Sequence, residues 1–498
     1  MLKPDIILTW TPQARIHFIQ PKQPSQLTHK PDSIKSVAST IAFDMMTYYK
    51  GNLSGQTPGL LPGPPPNPTV TNAGYFWWET GAMFGSLIDY WYYTGDSTYN
   101  EVVSQGMLFQ TGNGHDYLPQ NQTNGMGNDD QAFWGMSAMT AAELGFPNPP
   151  ADQPQWLALA QAVYNTQLPR FDDLCGGGLH WQAYNILNGY SYKNAIANGC
   201  FFNIAARLAA YTGNDSYATQ AELTWDWMTG IGLLDKDYMI YDGSDSNNNC
   251  TIINHQQFSY NAGVFLLGAA TMYNHTNGSA IWKERTAGLL NSTINVFFPK
   301  GIAYEVVCEA SLSHCTIDML SYKAYLVRWM AAATKVAPFI YDDVIDVVKT
   351  SATAAALQCS GGTNGRMCGL SWSKGTEWDG TSGVGQQMAA LEVVQSNLIQ
   401  QAKAPLTNST GGTSQGDPNA GMGSSSTQQP GATKPATRGD KVGAGVLTAL
   451  VLCVLVGTLT WMNMPEPMGK GAGPGPRKGK GKGKEYRSVR GAERSDYA

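Results

Sequence analysis

The chain has 498 residues, of which 42% are hydrophobic, 11% aromatic and 14% charged, enough apolar material for a large core and too few charges for a disordered protein. Its formal charge of −5 conceals an asymmetry: residues 465–498 carry 9 Lys and Arg against 4 Asp and Glu, leaving 23 against 33, a charge of −10, before them. That distribution excludes a uniformly basic nucleic-acid binder, whose Lys and Arg would line the folded part.

The start, MLKPDIILTWTPQARIHF, holds an apolar run of only about five residues, below the 7 to 15 of a secretory signal. Residues 1–32 are therefore an uncertain segment, expected to reflect an incorrect gene start. A helical pattern, SIKSVASTIAFDMMTYY, begins at Ser33. From there to residue 402 one local arrangement recurs: an apolar helix ends at Gly or Thr-Gly, a polar turn follows, and an aromatic residue opens the next helix. The ends fall near Thr94, Gly145, Thr212, Thr276 and Lys335, at intervals of 51 to 67 residues. Gly closes helices through left-handed caps, and Asp, Asn or Ser opens them. Each interval has room for two helices and two connections, and no stretch alternates as strands do. The spacing predicts an all-α domain over residues 33–402, six helical hairpins closed into an (α/α)6 barrel. An open solenoid would have shorter and more uniform units.

Residues 403–441, rich in Gly, Ser, Thr, Pro and Gln, read as a flexible stalk. Residues 442–462, VGAGVLTALVLCVLVGTLTWM, have the roughly 20 uncharged residues of a transmembrane helix, and the basic tail 463–498 marks its cytoplasmic side. A glycolipid-anchor signal would end in its hydrophobic tail, whereas 36 residues follow Met462. The expected arrangement is a single-pass type I protein of the cell surface or endomembranes, its domain extracytoplasmic and open to cell-wall association. Eight Asn-x-Ser/Thr sequons, at Asn52, Asn121, Asn214, Asn249, Asn274, Asn277, Asn291 and Asn408, fit that side of the membrane. So do Cys308 with Cys315 and Cys359 with Cys368, spaced for local disulfides. Cys175, Cys200 and Cys250 leave one thiol over, with Cys200 in an apolar helical run.

The 7 histidines include no His-x-x-x-His pair and no cysteine pair has zinc spacing, so neither a metal nor another cofactor is expected. Phosphate loops and GxSxG elbows are absent from the sequence too. What remains is carboxylates among aromatics, the equipment of carbohydrate chemistry. In GHDYLPQNQTNGMGNDDQAFW, Asp129 and Asp130 stand at a helix start, with Asp116 and Tyr117 in the preceding loop. Ordinary capping is one reading of the pair. The other is an acid pair, one carboxyl attacking the anomeric carbon and the other protonating the leaving oxygen. Candidate substrate contacts are Trp77, Trp78 and Glu79 at one helix mouth, His180, Trp181, Lys193, Asn194 and Asn198 around a Gly-rich loop, and Tyr260 and Asn261 at another helix entrance.

The motifs NDDQAFW, YFWWETGAMFG, GGGLHWQ, YSYKNAIANG, FSYNAG and NGRMCGLSW resemble those of glycoside hydrolase family 76, the α-1,6-mannanases, including the fungal wall mannosidases that act on glycolipid-anchored proteins. The resemblance covers about residues 33–400. It implies an (α/α)6 barrel and a retaining mannan endo-1,6-α-mannosidase, with Asp129 as nucleophile, Asp130 as general acid/base and no metal. It also implies α-1,6-mannan or a glycolipid-anchor glycan as substrate and wall glucan as a further acceptor. A catalytically silent mannan-binding scaffold is the alternative, and it would have no need of both aspartates.

Overall fold

Three helices of the computed structural model, over Trp77–Thr94 (α2), Asn128–Leu144 (α4) and Ala195–Thr212 (α6), end at Gly95, Gly145 and Gly213, each left-handed at φ 79°, 67° and 71°. A side chain would strain that backbone, so glycine sets these helix lengths. The structure describes residues 23–65, 74–423 and 448–458. Up to residue 423 the other described helices are α1 Pro31–Met46, α3 Asn100–Phe109, α5 Trp156–Gln167, α7 Asp215–Gly230, α8 Ser259–His275, α9 Ala280–Phe297, α10 Tyr322–Val336, α11 Tyr341–Gln358 and α12 Val384–Gln395.

The even-numbered helices pack in succession, α2 on α4, then α6, α8, α10 and α12, and α12 closes the ring against α2. The odd-numbered helices lie outside and run back between them. Inner helices are apolar or small nearly all round, because a helix enclosed by neighbours has no solvent face: in α8 every residue from Ser259 to Met272 is buried. Outer helices keep an exposed stripe, and in α7 only Tyr217, Ala221, Thr224, Trp225, Trp227 and Met228 are buried. Close approach within the ring depends on small residues; a Cβ on Gly81 of α2 would lie 2.6 Å from the Trp134 ring of α4.

All six inner helices therefore start at one end of the ring. The far end is tied by buried ion pairs, Arg207 with Glu143 at 2.6 Å and Arg328 with Asp89 at 2.9 Å, around a cavity of about 160 Å³. The rim of the starting end carries elements too short for a sequence pattern. Strands β1 Tyr192–Asn194, β2 Gly243–Asp245 and β3 Ile253–Asn254 form one antiparallel sheet, and β4 Cys359–Gly361 pairs with β5 Met367–Cys368. Cys308–Cys315 and Cys359–Cys368 are bonded, Cys175 pairs with Cys250 across 75 residues, and Cys200 is the buried free thiol.

The expected boundary at residue 402 is corrected. The chain from Lys403 to Gly423 is a strap laid on the barrel. Leu406 N donates to Glu143 O at 2.7 Å and Asn408 N to Tyr211 O at 3.0 Å, filling acceptors at the ends of α4 and α6. The strap then follows α5, where Leu157 N donates to Ser414 Oγ at 2.9 Å, Asp417 N to Gln161 Oε1 at 2.7 Å, and Asn165 Nδ2 to the carbonyls of Pro418 and Ala420 at 2.9 Å each. Residues 448–458 are helical and exposed. No described helix is long and apolar enough to cross a membrane; the rest of the expected span 442–462, the tail 463–498 and residues 1–22 lie outside the described residues.

Candidate active site

Asp129 and Asp130 occupy the first turn of α4, at the end of the ring where all inner helices begin. This helix start is held from several sides. Asn128 N donates to Trp181 O at 2.8 Å and its Nδ2 to His180 O at 2.8 Å, while Ala183 N donates to Met126 O at 2.9 Å. Arg170 Nη1 donates to Asn128 Oδ1 at 2.7 Å and to Gln131 Oε1 at 2.9 Å.

The two carboxyls fold back over Gly127. Asp130 Oδ2 accepts from Gly127 N at 2.7 Å, and Asp129 Oδ1 accepts from Asp130 N at 3.1 Å. A Cβ at position 127 would lie 2.1 Å from Asp129 Oδ1 and 3.0 Å from Asp130 Oδ2, so only glycine leaves room for the pair. Asp130 thus caps its helix, as the simpler reading had it, and does so inside an acidic cluster. As residues, Asp129 and Asp130 are each half-buried at the mouth of the ring. Burial, then the Asp130 charge, push Asp129 well above the usual carboxylate range; burial also pushes Asp130 up to about 6, against the opposing pull of the Gly127 amide. Two carboxyls crowded at one desolvated helix start oppose each other's ionisation, so each makes the other's proton harder to remove.

Of the aromatic candidates, Trp77 is half-buried and stacks on Trp134 at 5.1 Å, with its Nε1 donating to Gln110 Oε1 at 2.8 Å. Trp78 packs on Phe133 at 4.6 Å and donates from Nε1 to Asp318 Oδ1 at 3.2 Å. Tyr260 stacks on Tyr322 at 3.8 Å, and burial, then the Asp242 and Asp129 charges, push its hydroxyl well above the usual tyrosine range. Trp181, 38% exposed, stands on the rim.

The structure puts other candidates beneath the surface, in the framework. Lys193 is fully buried; its Nζ donates to Asp172 Oδ1 at 2.6 Å, Leu174 O at 2.7 Å, Gly177 O at 2.7 Å and Gly178 O at 2.9 Å, leaving no donor for a sugar. His180 uses both ring nitrogens, on Tyr190 O and Asp172 Oδ2. Asn194 caps α6 through Ala197 N at 3.2 Å, and Asn198 pairs with the backbone N and O of Leu179 at 2.7 and 2.9 Å. Glu79 accepts from Phe76 N at 2.7 Å, Asp116 Oδ1 accepts from Leu118 N at 3.2 Å, Tyr117 stacks on Trp134 at 5.5 Å, and Asn261 is buried in α8. Polar residues near a helix start look alike in sequence whether they face a ligand or a folded-back loop.

Two groups near the pair escaped the sequence reading. Asp318 lies in the turn before α10, downstream of the Cys308–Cys315 disulfide. Asp242 accepts from Tyr192 Oη at 2.6 Å and from Asn254 Nδ2 at 3.0 Å. Neither sits in a helical start pattern; the only signal at Asp318 was a carboxylate just after a cysteine-closed loop.

The sequence profile described as glycosyl hydrolase family 76 matches residues 33–409. Mannan endo-1,6-alpha-mannosidase DCW1 of Saccharomyces cerevisiae is 44% identical over 434 residues, 86% of this chain and 93% of that protein. Mannan endo-1,6-alpha-mannosidase DFG5 of the same yeast is 41% identical over 433 residues, 86% and 92% of the two chains. The crystal structure of Dfg5 from Chaetomium thermophilum in complex with glucosamine shares 50% identity and a TM-score of 0.76, over 79% of this chain and 96% of that one. A TM-score of 0.58 at 16% identity, over 74% and 99% of the chains, relates the fold to an α-1,6-mannanase of Salegentibacter sp., solved as an inactive variant in complex with α-1,6-mannotriose with two consecutive aspartates changed to asparagine. By its profile and its relatives, the chain belongs to glycosyl hydrolase family 76.

Proposed function

We propose that the protein is a retaining mannan endo-1,6-α-mannosidase in which Asp129 and Asp130 carry the chemistry. The observation behind this reading is the pair itself, two adjacent carboxyls folded over Gly127 at the mouth of the ring. The names of the relatives at 44% and 41% identity supply the α-1,6-mannan substrate. In the first step Asp129 bonds to the anomeric carbon as the glycosidic C–O bond breaks, and Asp130 gives its proton to the leaving oxygen. In the second, Asp130 takes a proton from the incoming hydroxyl, which displaces Asp129. With water the outcome is hydrolysis; with a hydroxyl of wall glucan it is transfer of a glycolipid-anchor glycan. The mannose rings would lie on Trp77 and Trp181, the more exposed indoles of the site. Three disulfides and eight sequons support an extracytoplasmic domain, and the apolar stretch 442–462 with its basic tail supports tethering to a membrane.

The test is incubation of the full chain, purified in detergent, with α-1,6-mannan oligosaccharides, with and without a β-glucan acceptor. Shortened mannan indicates hydrolysis and a joined product transfer. Asp129→Ala should abolish both while keeping the helical circular dichroism signal. Absence of turnover in the wild type, with mannan still bound, would sink the enzyme reading.

A further inference from the structure

Asp318 is unclaimed by the two-aspartate chemistry, yet it is part of the same cluster. Its Oδ1 accepts the Trp78 Nε1 hydrogen at 3.2 Å, and Trp78 packs at 4.6 Å on Phe133, one helical turn beyond the acid pair on α4. The segment that carries it is held firmly. Ser321 N and Oγ donate to Asp318 O at 2.9 and 2.6 Å, and Cys308–Cys315 closes the loop before it. Further back, Glu305 accepts from Ser259, and Glu309 pairs with Lys323 at 2.7 Å. A carboxyl placed by a disulfide, a helix start and two buried hydrogen-bonded groups is not a loop side chain free to turn away.

The charged and titratable groups that act on it come from each surrounding element: Glu79 on α2, Asp129 and Asp130 on α4, Tyr260 on α8, and Tyr322 and Tyr325 on α10. No lysine or arginine is among them; Lys193, Arg170 and Lys323 are engaged with other partners.

We propose that Asp318 is a positioning residue of the reaction: it orients the Trp78 indole at the mouth of the ring, and its carboxylate adds negative charge to the cluster in which the Asp129–Asp130 pair works. Once ionised, a carboxylate with no cation among these groups makes the loss of a proton from the pair harder, so the general acid stays loaded to higher pH than the pair alone would allow. Burial, then the Asp130 charge, hold Asp318 itself up at about 7, so the cluster exchanges charge across the range in which the enzyme would work.

The proposal rests on the acid-pair reading, and two readouts keep their failures apart. Asp318→Asn keeps an acceptor for Trp78 Nε1 and removes the charge; Trp78→Phe keeps an aromatic ring, a smaller one, and removes the donor. With α-1,6-mannotetraose as substrate, the pH profile of kcat for Asp318→Asn should move to lower pH by about half a unit or more on its alkaline limb, while Trp78→Phe should change KM and leave the limbs in place. Limbs that stay where the wild type has them would overturn the proposal, whatever happens to kcat. The second readout needs no turnover: the melting temperature of the full chain against pH. The Asp318→Asn chain should lose less stability than the wild type between about pH 5 and pH 8; parallel curves would overturn the charge-setting role even if the protein proved inactive on mannan.

Discussion

Replacing Gly127 by alanine separates catalytic geometry from stability. The added Cβ would lie 2.1 Å from Asp129 Oδ1 and 3.0 Å from Asp130 Oδ2, where a carbon-oxygen contact needs roughly 3.3 Å. The Asp129 carboxyl must therefore retreat by about 1 Å, and a displacement of that size at reacting atoms costs on the order of 100-fold in rate. Stability should change far less. Gly127 has φ −81° and ψ 153°, extended backbone that alanine adopts freely. The alanine lowers the entropy of the unfolded chain, stabilising by about 0.4 to 1 kcal/mol, against a local overpacking cost of about 1 to 3 kcal/mol. For a domain of this size the net shift in Tm is at most a few degrees. Initial rates of reducing-end release from α-1,6-mannan, beside a circular dichroism melt, measure both. A variant with kcat/KM within about threefold of the wild type, less than about 1 kcal/mol of lost transition-state stabilisation, would refute the claim that the glycine makes room for the pair.

Nucleophile and acid should separate by rescue. With a mannoside whose leaving group needs no proton, Asp130→Asn should still form the glycosyl-enzyme and regain turnover with azide, whereas Asp129→Asn should not; the reverse pattern would exchange the roles. Lys193→Met should destabilise the protein by about 2 kcal/mol, a buried-pair loss discounted because Asp172 is one third exposed, without raising KM; a raised KM at unchanged Tm would return Lys193 to substrate binding. Burial holds Glu305 at about 8, as it holds Asp130 at about 6 and Asp318 at about 7. All three lie above their unfolded values, so their favourable contribution is complete below about pH 4 and disappears as pH rises through 6 to 8. Glu305→Gln should narrow the difference in Tm between about pH 5 and pH 8, and an unchanged difference would show that Glu305 is not among the groups responsible.

The barrel was legible because its limits are written in local chemistry. Gly95, Gly145 and Gly213 end inner helices at the positions where the amino-acid pattern puts them. The position of Asp129 and Asp130 at a helix start was legible because two aspartates follow a glycine-rich loop and precede Phe133 and Trp134. What was missed depends on contacts between distant segments. Lys193 reads as a recognition residue until the loop 172–178 wraps its ammonium, and Asp318 meets Trp78 only when the turn before α10 is brought to the start of α2. The strap was misread for a related reason: Gly, Ser, Thr and Pro are the composition of a linker, but this one is ordered by backbone groups that find Glu143, Tyr211, Gln161 and Asn165, none of which composition can reveal.

That strap also carries the chain from one end of the ring to the other. Gly421 lies against Thr166, and Thr166 Oγ1 accepts from Gln131 Nε2 at 2.8 Å, one residue past Asp130. A chain leaving at Ala402 would depart from the closed end, the length of α4 away, about 25 Å for its 17 residues. By climbing α5, the strap instead brings Gly421 to the end where α4 begins. Its 21 residues therefore brace both ends of the ring, and a domain cut at residue 402 would lose backbone partners of α4, α5 and α6.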